Sequence, residues 1–372
     1  MRYAHVTGWG MAVPERIMTN NDISKMVDTN DEWIRNRTGI RERRIAGPNE
    51  TTGSLATEAA LRALRVANVR PTDVDLIIVA TSSPEHLFPA TASLVQDQLG
   101  AQDCGAFDLL SACTGFITAM DMASQAIRTG SVDTAIVIGA ETLSRLVNWK
   151  DRSTCILFGD GAGAFVLQGS EEPGGVLSTM LRSDGSGGEL LSIPAGGSYI
   201  PASRGSVSDG LHYIHMNGRE VFRFATRVMA RAVEEVVAKA DLEMDDIHLV
   251  VPHQANTRII QAAARGLKMP IERFMINLDR YGNTSTASIP LATCEAIEQG
   301  RIRPGDHLAF VGFGAGLTWG AATVQWTGPF PSEKKVDPAR YRTLARARSF
   351  FRRGLRRVEG MVYRNGNAPK KK

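Results

Sequence analysis

Short apolar runs alternate along this chain with longer stretches in which apolar side chains recur every three or four positions. Leu76–Ala80, Thr134–Gly139, Leu249–Val251, Leu308–Gly312 and Ala321–Trp326 have the length and composition of buried strands. Leu55–Val66 and Ile117–Arg128 carry the helical period instead. The alternation predicts an α/β protein, with mixed or parallel sheets covered by helices. Functional residues are then expected at the C-terminal ends of the central strands Leu76–Ala80 and Leu249–Val251. The Gly-rich stretch Ser183–Gly210 breaks the alternation and reads as a long loop between two halves.

The pattern is also doubled. Asp73-Val74-Asp75-Leu76-Ile77-Ile78-Val79-Ala80 resembles Asp246-Ile247-His248-Leu249-Val250-Val251-Pro252-His253, 173 residues later. Ala126-Ile127-Arg128-Thr129-Gly130 resembles Ala296-Ile297-Glu298-Gln299-Gly300, at an offset of 170. Two matches at nearly one offset divide the body into similar halves, 1–170 and 171–330, followed by an extension, 331–372.

Composition adds limits. With 372 residues and 43 % apolar content the chain can bury a sizeable core, and 22 % charged residues argue against a disordered or fibrous chain. No apolar run reaches the length of a membrane span, and the N-terminus lacks the apolar run of a secretory signal. Cys104, Cys113, Cys155 and Cys294 show no paired CxxC spacing, so a reducing, cytoplasmic setting is expected. The net charge of +4 conceals an asymmetry, because 331–372 holds 14 basic and 3 acidic residues while 1–330 holds 29 and 36.

Candidate chemistry centres on Cys113, between an apolar strand-like run and an amphipathic helix in Ser111-Ala112-Cys113-Thr114-Gly115-Phe116. A cysteine at a helix N-terminus feels the positive end of the macrodipole, which favours the thiolate. Taken alone, a cysteine between apolar segments is ordinary core. The repeat changes this: an offset of 170 superposes Cys113 on Asn283, and an offset of 173 superposes Ala80 on His253. Cys113 and Asn283 then face each other across the two-fold relating the halves, with His253 at the end of a central strand. A thiol, an imidazole and an amide make a nucleophile with two hydrogen-bonding partners. The glycines of Val311-Gly312-Phe313-Gly314-Ala315-Gly316-Leu317-Thr318-Trp319-Gly320 run on into a strand rather than a helix, which disfavours a dinucleotide site. They allow a tight turn whose free N–H can serve an oxyanion. Phe158-Gly159-Asp160-Gly161-Ala162-Gly163 reads as turn and packing.

These residues resemble the β-ketoacyl-ACP synthase III family of the thiolase superfamily over about 1–326. The motifs that carry the resemblance are Asp31-Glu32-Trp33-Ile34, Arg37-Thr38-Gly39-Ile40-Arg41-Glu42-Arg43, Ala112-Cys113-Thr114-Gly115-Phe116, Phe158-Gly159-Asp160-Gly161-Ala162-Gly163, Val251-Pro252-His253-Gln254-Ala255-Asn256, Gly282-Asn283-Thr284-Ser285 and Phe313–Gly320. The resemblance implies a duplicated five-layered αβαβα thiolase-like fold. It implies that Cys113 takes an acyl group from acyl-CoA, and that His253 and Asn283 stabilise the enolate formed as malonyl-ACP loses carbon dioxide. It gives the backbone N–H groups of Cys113 and Ala315 the oxyanion hole. It assigns CoA to Trp33, Arg37, Thr38, Arg152, Gly218, Phe222, Ala255 and Asn256, and the acyl pocket to Phe88 and Leu143, with Phe88 crossing a homodimer interface. No metal or redox cofactor is implied, because decarboxylation drives the condensation.

Arg258, Arg265 and Lys268 form a basic group suited to an acidic acyl carrier protein, and a merely solvated helix face fits them too. Arg219 departs from the smaller polar residue familiar beside the CoA channel. Two other tasks share the fold: a starter-unit condensing or acyl-transfer enzyme of a specialised pathway, and a non-catalytic acyl-carrier-binding subunit. The intact Cys113, His253 and Asn283 argue against the last.

The extension has no counterpart in the family pattern. Leu344, Phe351, Leu355, Val358 and Val362 recur at helical spacing among Arg346, Arg352, Arg353, Arg356 and Arg357, predicting a basic amphipathic helix of about five turns that Gly354 weakens. Its charge suits an anionic membrane surface, and equally an acidic carrier protein, a nucleic acid or a solvated extension.

Overall fold

The computed structural model describes residues 2–330 and 335–366. The large sheet of the first half has five strands: β1 (Tyr3–Ala12), β2 (Leu76–Ala80), β3 (Gly105–Leu109), β4 (Thr134–Thr142) and β5 (Asp160–Ser170). They form one sheet in the order β1-β5-β4-β2-β3. The large sheet of the second half has four: β6 (Gly175–Ser183), β7 (Ile247–Pro252), β8 (His307–Gly314) and β9 (Thr318–Gln325), in the order β7-β8-β9-β6. In the first sheet β2 and β4 are parallel and β5 runs antiparallel to β4 and β1; in the second β7 and β8 are parallel and β9 runs antiparallel to β8 and β6. A parallel bridge from Val250 to Phe274 stands beside β7 where β3 stands beside β2.

The helices that position the site are α1 (Asp31–Thr38), α2 (Thr52–Ala67), α3 (Thr91–Leu99), α4 (Gly115–Arg128), α5 (Gly218–Ala238), α6 (Thr257–Gly266), α7 (Ser288–Glu298) and α8 (Pro338–Gly366). α2 and α3 cover the outer face of the first sheet with Leu55, Leu64 and Val95 against Ile77 and Ile136. α5 and α6 cover the second sheet with Phe224, Met229 and Ile260 against Val250 and Ala309. α4 and α7 lie between the sheets, where Phe116, Ile117 and Ile289 meet Ile78, Val137, Val251 and Phe310. Layered this way the molecule is αβαβα. α7 is buried from Ser288 through Ala296, as a helix enclosed on both faces must be.

The two offsets in the repeat have one cause. α4 and α7 begin 173 residues apart and are preceded by short turns, Ala112–Thr114 and Ser285–Ala287, at the same spacing. α4 has 14 residues and α7 has 11, so α7 lacks about one helical turn and the offset falls to 170 at its end. Cys113 therefore superposes on Thr286, not on Asn283 as expected from the sequence, while Ala80 and His253 do correspond. The two turns share backbone conformation: φ is +43° at Ala112 and +47° at Ser285. Each turn rests on a glycine of the other half. A Cβ at Gly139 would lie 2.2 Å from the Thr286 carbonyl, and one at Gly312 3.3 Å from that of Cys113.

The Gly-rich stretch is not a plain loop between halves. It belongs to the second half, with a 3-10 segment at Gly185–Leu190, a pair of short strands (Leu191–Ser192 and His215–Met216) and a helix at Arg204–Ser208. The extension is helical, as predicted. The start of α8 docks on α2 and α3: Ala345 is buried against Gly100, the Ser349 hydroxyl donates to Asp97 (2.7 Å) and Arg342 pairs with Glu58 (3.2 Å). The side chain of Val362 lies outside the described residues. Among the described residues no helix is long and apolar enough to cross a membrane.

Candidate active site

β3 ends at Leu109, and the chain turns through Ala112, whose left-handed conformation costs a non-glycine residue about 1 kcal/mol. That turn projects Cys113 just ahead of α4. The Thr114 hydroxyl donates to Ser111 O (2.7 Å) and lies 3.0 Å from Thr318 Oγ1, tying the turn to β9 of the other half. Cys113 is buried, and burial pushes its thiol up to about 12, with the buried Glu141 carboxyl adding to the effect. Desolvation therefore outweighs the helix terminus, and the resting group is a thiol rather than the thiolate expected from the macrodipole.

His253 follows β7 and is held by its backbone N–H on Val311 O (2.8 Å). Its Nδ1 lies 2.7 Å from Ser288 Oγ at the start of α7, and Phe313 contacts the ring edge-on. Burial drives the imidazole down to about 3, so the ring is neutral near pH 7. Gln254 staples the segment: its amide donates to Pro252 O (2.7 Å) and Met275 O (3.0 Å) and accepts the Asn277 N–H (3.0 Å). Asn283 sits before the second turn, exchanging backbone hydrogen bonds with Leu157 O (2.8 Å) and Gly159 N–H (3.0 Å). Its Oδ1 accepts the Ser285 N–H (2.8 Å), which fixes the amide orientation and leaves its NH2 as the donor to a ligand.

Cys113, His253 and Asn283 line a single narrow pocket, walled by Leu157, Phe158, Val221, Phe222, Phe313 and Gly314. Gly314 keeps the Cys113 N–H reachable, since a Cβ there would stand 2.7 Å from that nitrogen. Ala315 follows it in the β8–β9 turn, where its carbonyl accepts from the Thr318 hydroxyl (3.1 Å). Gly218, Phe222, Ala255 and Asn256 line the same pocket. Toward its mouth the Arg258 guanidinium lies over Phe222 (5.4 Å), and Arg258 shares an adjoining cleft with Trp33 and Arg37.

The remaining expected residues fall into place less evenly. Arg152 and Arg37 flank the Trp33 ring at 5.0 and 5.6 Å, so a planar base seated between Trp33 and Arg152 has to move the guanidinium off the ring. Thr38 is buried, and its hydroxyl donates to Ile34 O (2.7 Å) and accepts from Ile40 N–H (3.0 Å); it shapes the turn after Arg37 instead of facing the cleft. Leu143 lies behind Phe158 in a separate apolar cluster, and Phe88 is 86 % exposed, so within one chain neither touches the Cys113 pocket. Arg265 and Lys268 are exposed on and just after α6, and Arg219 is exposed near the start of α5. Among the described residues no group of three His, Cys, Asp or Glu is arranged to hold a metal ion.

Two supporting roles escaped the sequence analysis. Ser288 carries no pattern of its own; aligning the helix starts would have marked it as the counterpart of Gly115. Arg43, fully buried, donates to Met18 O (3.2 Å), Asn20 Oδ1 (2.8 Å) and Ile156 O (2.7 Å), anchoring the segment that holds Asn283. Burial lowers its pKa to about 10.

Known proteins share this fold. Residues 107–185 match the model of 3-oxoacyl-[acyl-carrier-protein] synthase III, and residues 237–326 match that of its C-terminal part. A beta-ketoacyl-[acyl-carrier-protein] synthase III of Symbiobacterium thermophilum is 56 % identical over 88 % of this chain and 99 % of its own length. The crystal structure of 3-oxoacyl-[acyl-carrier-protein] synthase III from Aquifex aeolicus superposes with a TM-score of 0.81, at 47 % identity, over 87 % of this chain and all of that one. The priming β-ketosynthase of the R1128 polyketide pathway superposes with a TM-score of 0.82, at 34 % identity, over 88 % and 97 %. The chain thus belongs to the 3-oxoacyl-[acyl-carrier-protein] synthase III family of condensing enzymes.

Proposed function

We propose that this acyltransferase joins an acyl-CoA primer to malonyl-ACP, releasing carbon dioxide and CoA and forming a 3-oxoacyl-ACP that initiates fatty acid synthesis. The observation that carries the reading is the convergence of Cys113, His253 and Asn283 on one pocket. The Cys113 sulfur attacks the primer thioester, the bond to the CoA sulfur breaks, and the thiol proton ends on the departing CoA. The N–H groups of Cys113 and Ala315 hold the oxyanion. In the second half-reaction the malonyl carboxylate leaves as carbon dioxide. The remaining thioester enolate is held by two donors, the Asn283 NH2 and the His253 Nε2–H that the Ser288 hydroxyl favours by donating to Nδ1. The enolate carbon attacks the acyl carbonyl, the carbon–sulfur bond to Cys113 breaks, and the thiolate regains a proton.

A neutral imidazole suits this role, because a donor rather than a charged acid is needed to share the enolate's charge. CoA reaches the pocket past Trp33, Arg37, Arg152, Gly218, Phe222, Ala255 and Asn256, while Arg258, Arg265 and Lys268 receive the acidic carrier protein. The working unit is a cytoplasmic homodimer: β3 is a sheet edge, and Leu87, Phe88 and Leu110 beside it are 84 %, 86 % and 78 % exposed, a surface a second copy would cover. Phe88 would then close the partner's acyl pocket. The basic extension makes a further contact, with a membrane surface. No metal or redox cofactor takes part in these steps. A specialised starter-unit role shares the chemistry and differs in the primer.

Intact-protein mass spectrometry after incubation with a panel of acyl-CoAs tests the reading. An adduct on the wild-type chain and none on Cys113→Ala is expected, discharged by malonyl-ACP. No adduct from any acyl-CoA would overturn the CoA-primed reaction.

A further inference from the structure

Resting on the reading of the extension as a membrane contact, we propose that α8 is an anionic-lipid-binding helix. It lies along the bilayer interface with Leu344, Phe351, Leu355 and Val358 turned toward the acyl chains and its arginines toward the headgroups. These four side chains are 69 %, 69 %, 62 % and 59 % exposed, although each is large and apolar. At roughly 100° per residue they fall within an arc of about 60° on one side of the helix. The docked residues Arg342, Ala345 and Ser349 centre about two-fifths of a turn away, so docking on α2 and α3 leaves the apolar stripe uncovered. Past Ser349 every described side chain of α8 is exposed, and the stripe runs on along a segment that no part of the body supports.

Charge identifies the occupant. Pro338–Val358 contains eight arginines and no carboxylate. Arg342 pairs with Glu58 and Arg340 with Asp337; Arg346, Arg348, Arg352, Arg353, Arg356 and Arg357 pair with no carboxylate of a described residue. An uncovered apolar stripe could also be closed by a second copy of α8, but that would set two arginine-rich helices side by side with no acidic partner between them. An anionic headgroup layer meets both demands, since it neutralises the arginines and offers an apolar phase beneath. Both family models end by residue 326, so the extension is an addition to a body complete without it.

The test is co-sedimentation of the full chain with vesicles of phosphatidylglycerol and phosphatidylcholine, and with vesicles of phosphatidylcholine alone, near 0.1 M salt. Binding to the anionic vesicles is expected, lost in 1 M salt and lowered about tenfold or more by Phe351→Glu with Leu355→Glu. That double variant changes only exposed side chains, and its unchanged condensing activity confirms the fold. Equal binding to phosphatidylcholine alone would leave a membrane contact but overturn the anionic-headgroup assignment. Undiminished binding by the double variant would overturn the apolar stripe. Binding to neither vesicle would overturn both the assignment and the membrane reading beneath it. A solution mass that falls by half in the double variant would give the stripe to a second copy.

Discussion

The neutral state of His253 has a consequence for stability that is independent of any substrate. In the unfolded chain an imidazole binds its proton near pH 6.5, whereas burial holds that of His253 at about 3. Because the folded value is the lower one, the unfolded state binds more protons as the pH falls below 6.5, and the fold loses stability down to about pH 3. Each pH unit in that window is worth about 1.4 kcal/mol, so acidification from pH 6.5 to 4 should cost about 3 kcal/mol through this side chain alone. His253→Asn removes the titrating group while keeping a polar side chain beside Ser288. Urea unfolding of both proteins across that range measures the difference. The buried carboxyls of Glu141 and Asp160, whose pKa values burial raises, contribute to both proteins and cancel in the comparison. The expected result is a wild-type stability that falls faster than that of the variant, the gap closing by about 3 kcal/mol at pH 4. Parallel pH dependences would refute a neutral, buried His253.

Two further outcomes separate the half-reactions. Gly314→Ala places a methyl 2.7 Å from the Cys113 nitrogen, so the rate of acyl-Cys113 formation from acyl-CoA, followed by quenched-flow mass spectrometry, should fall about 10²–10³-fold. Thermal melting reports separately on any crowding of the turn; wild-type acylation would sink the assignment of that N–H. Asn283→Asp keeps the acceptor for Ser285 N–H but removes the NH2 donor. It should acylate normally yet release carbon dioxide from malonyl-ACP at least about 100-fold more slowly, and an equal loss in both steps would contradict a role confined to the enolate.

The strands were legible because apolar runs such as Thr134–Gly139 and Leu308–Gly312 are buried on both faces and need no neighbour to be recognised. That Cys113, His253 and Asn283 share one pocket was legible mainly through the motifs around them. What stayed hidden depends on contacts between distant segments. The shorter α7 moved the apparent offset by three residues, which made Asn283 look like the partner of Cys113 when Thr286 is. Thr38 reads as a ligand residue until its hydroxyl is found within its own turn. The amphipathic period of α8 is written in the chain, but its docking rests on Ser349 meeting Asp97, 252 positions away. Cys113 shows the same limit in its electrostatics, since the helix that follows it is visible in sequence and the desolvation that outweighs that helix is not.

Duplication also explains why the molecule has one such site and not two. At an offset of 173, Thr286 stands where Cys113 does, Ala80 where His253 does, and Glu141 where Gly314 does. The second turn keeps the geometry of the first, including the left-handed residue before it and the glycine of the facing half beneath it. Yet Glu141 fills the space that Gly314 leaves open. Its carboxyl accepts from the Ser82 N–H (3.1 Å) and the Ser83 hydroxyl (2.6 Å), and the Thr286 hydroxyl lies 3.1 Å from it and 2.9 Å from Ala80 O. Those bonds occupy the groups that would otherwise face a substrate, and Ala80 offers no imidazole. The turn architecture alone therefore does not make such a pocket. What distinguishes the Cys113 turn is an unfilled space in front of its backbone N–H, in a pocket that an imidazole and an amide also line.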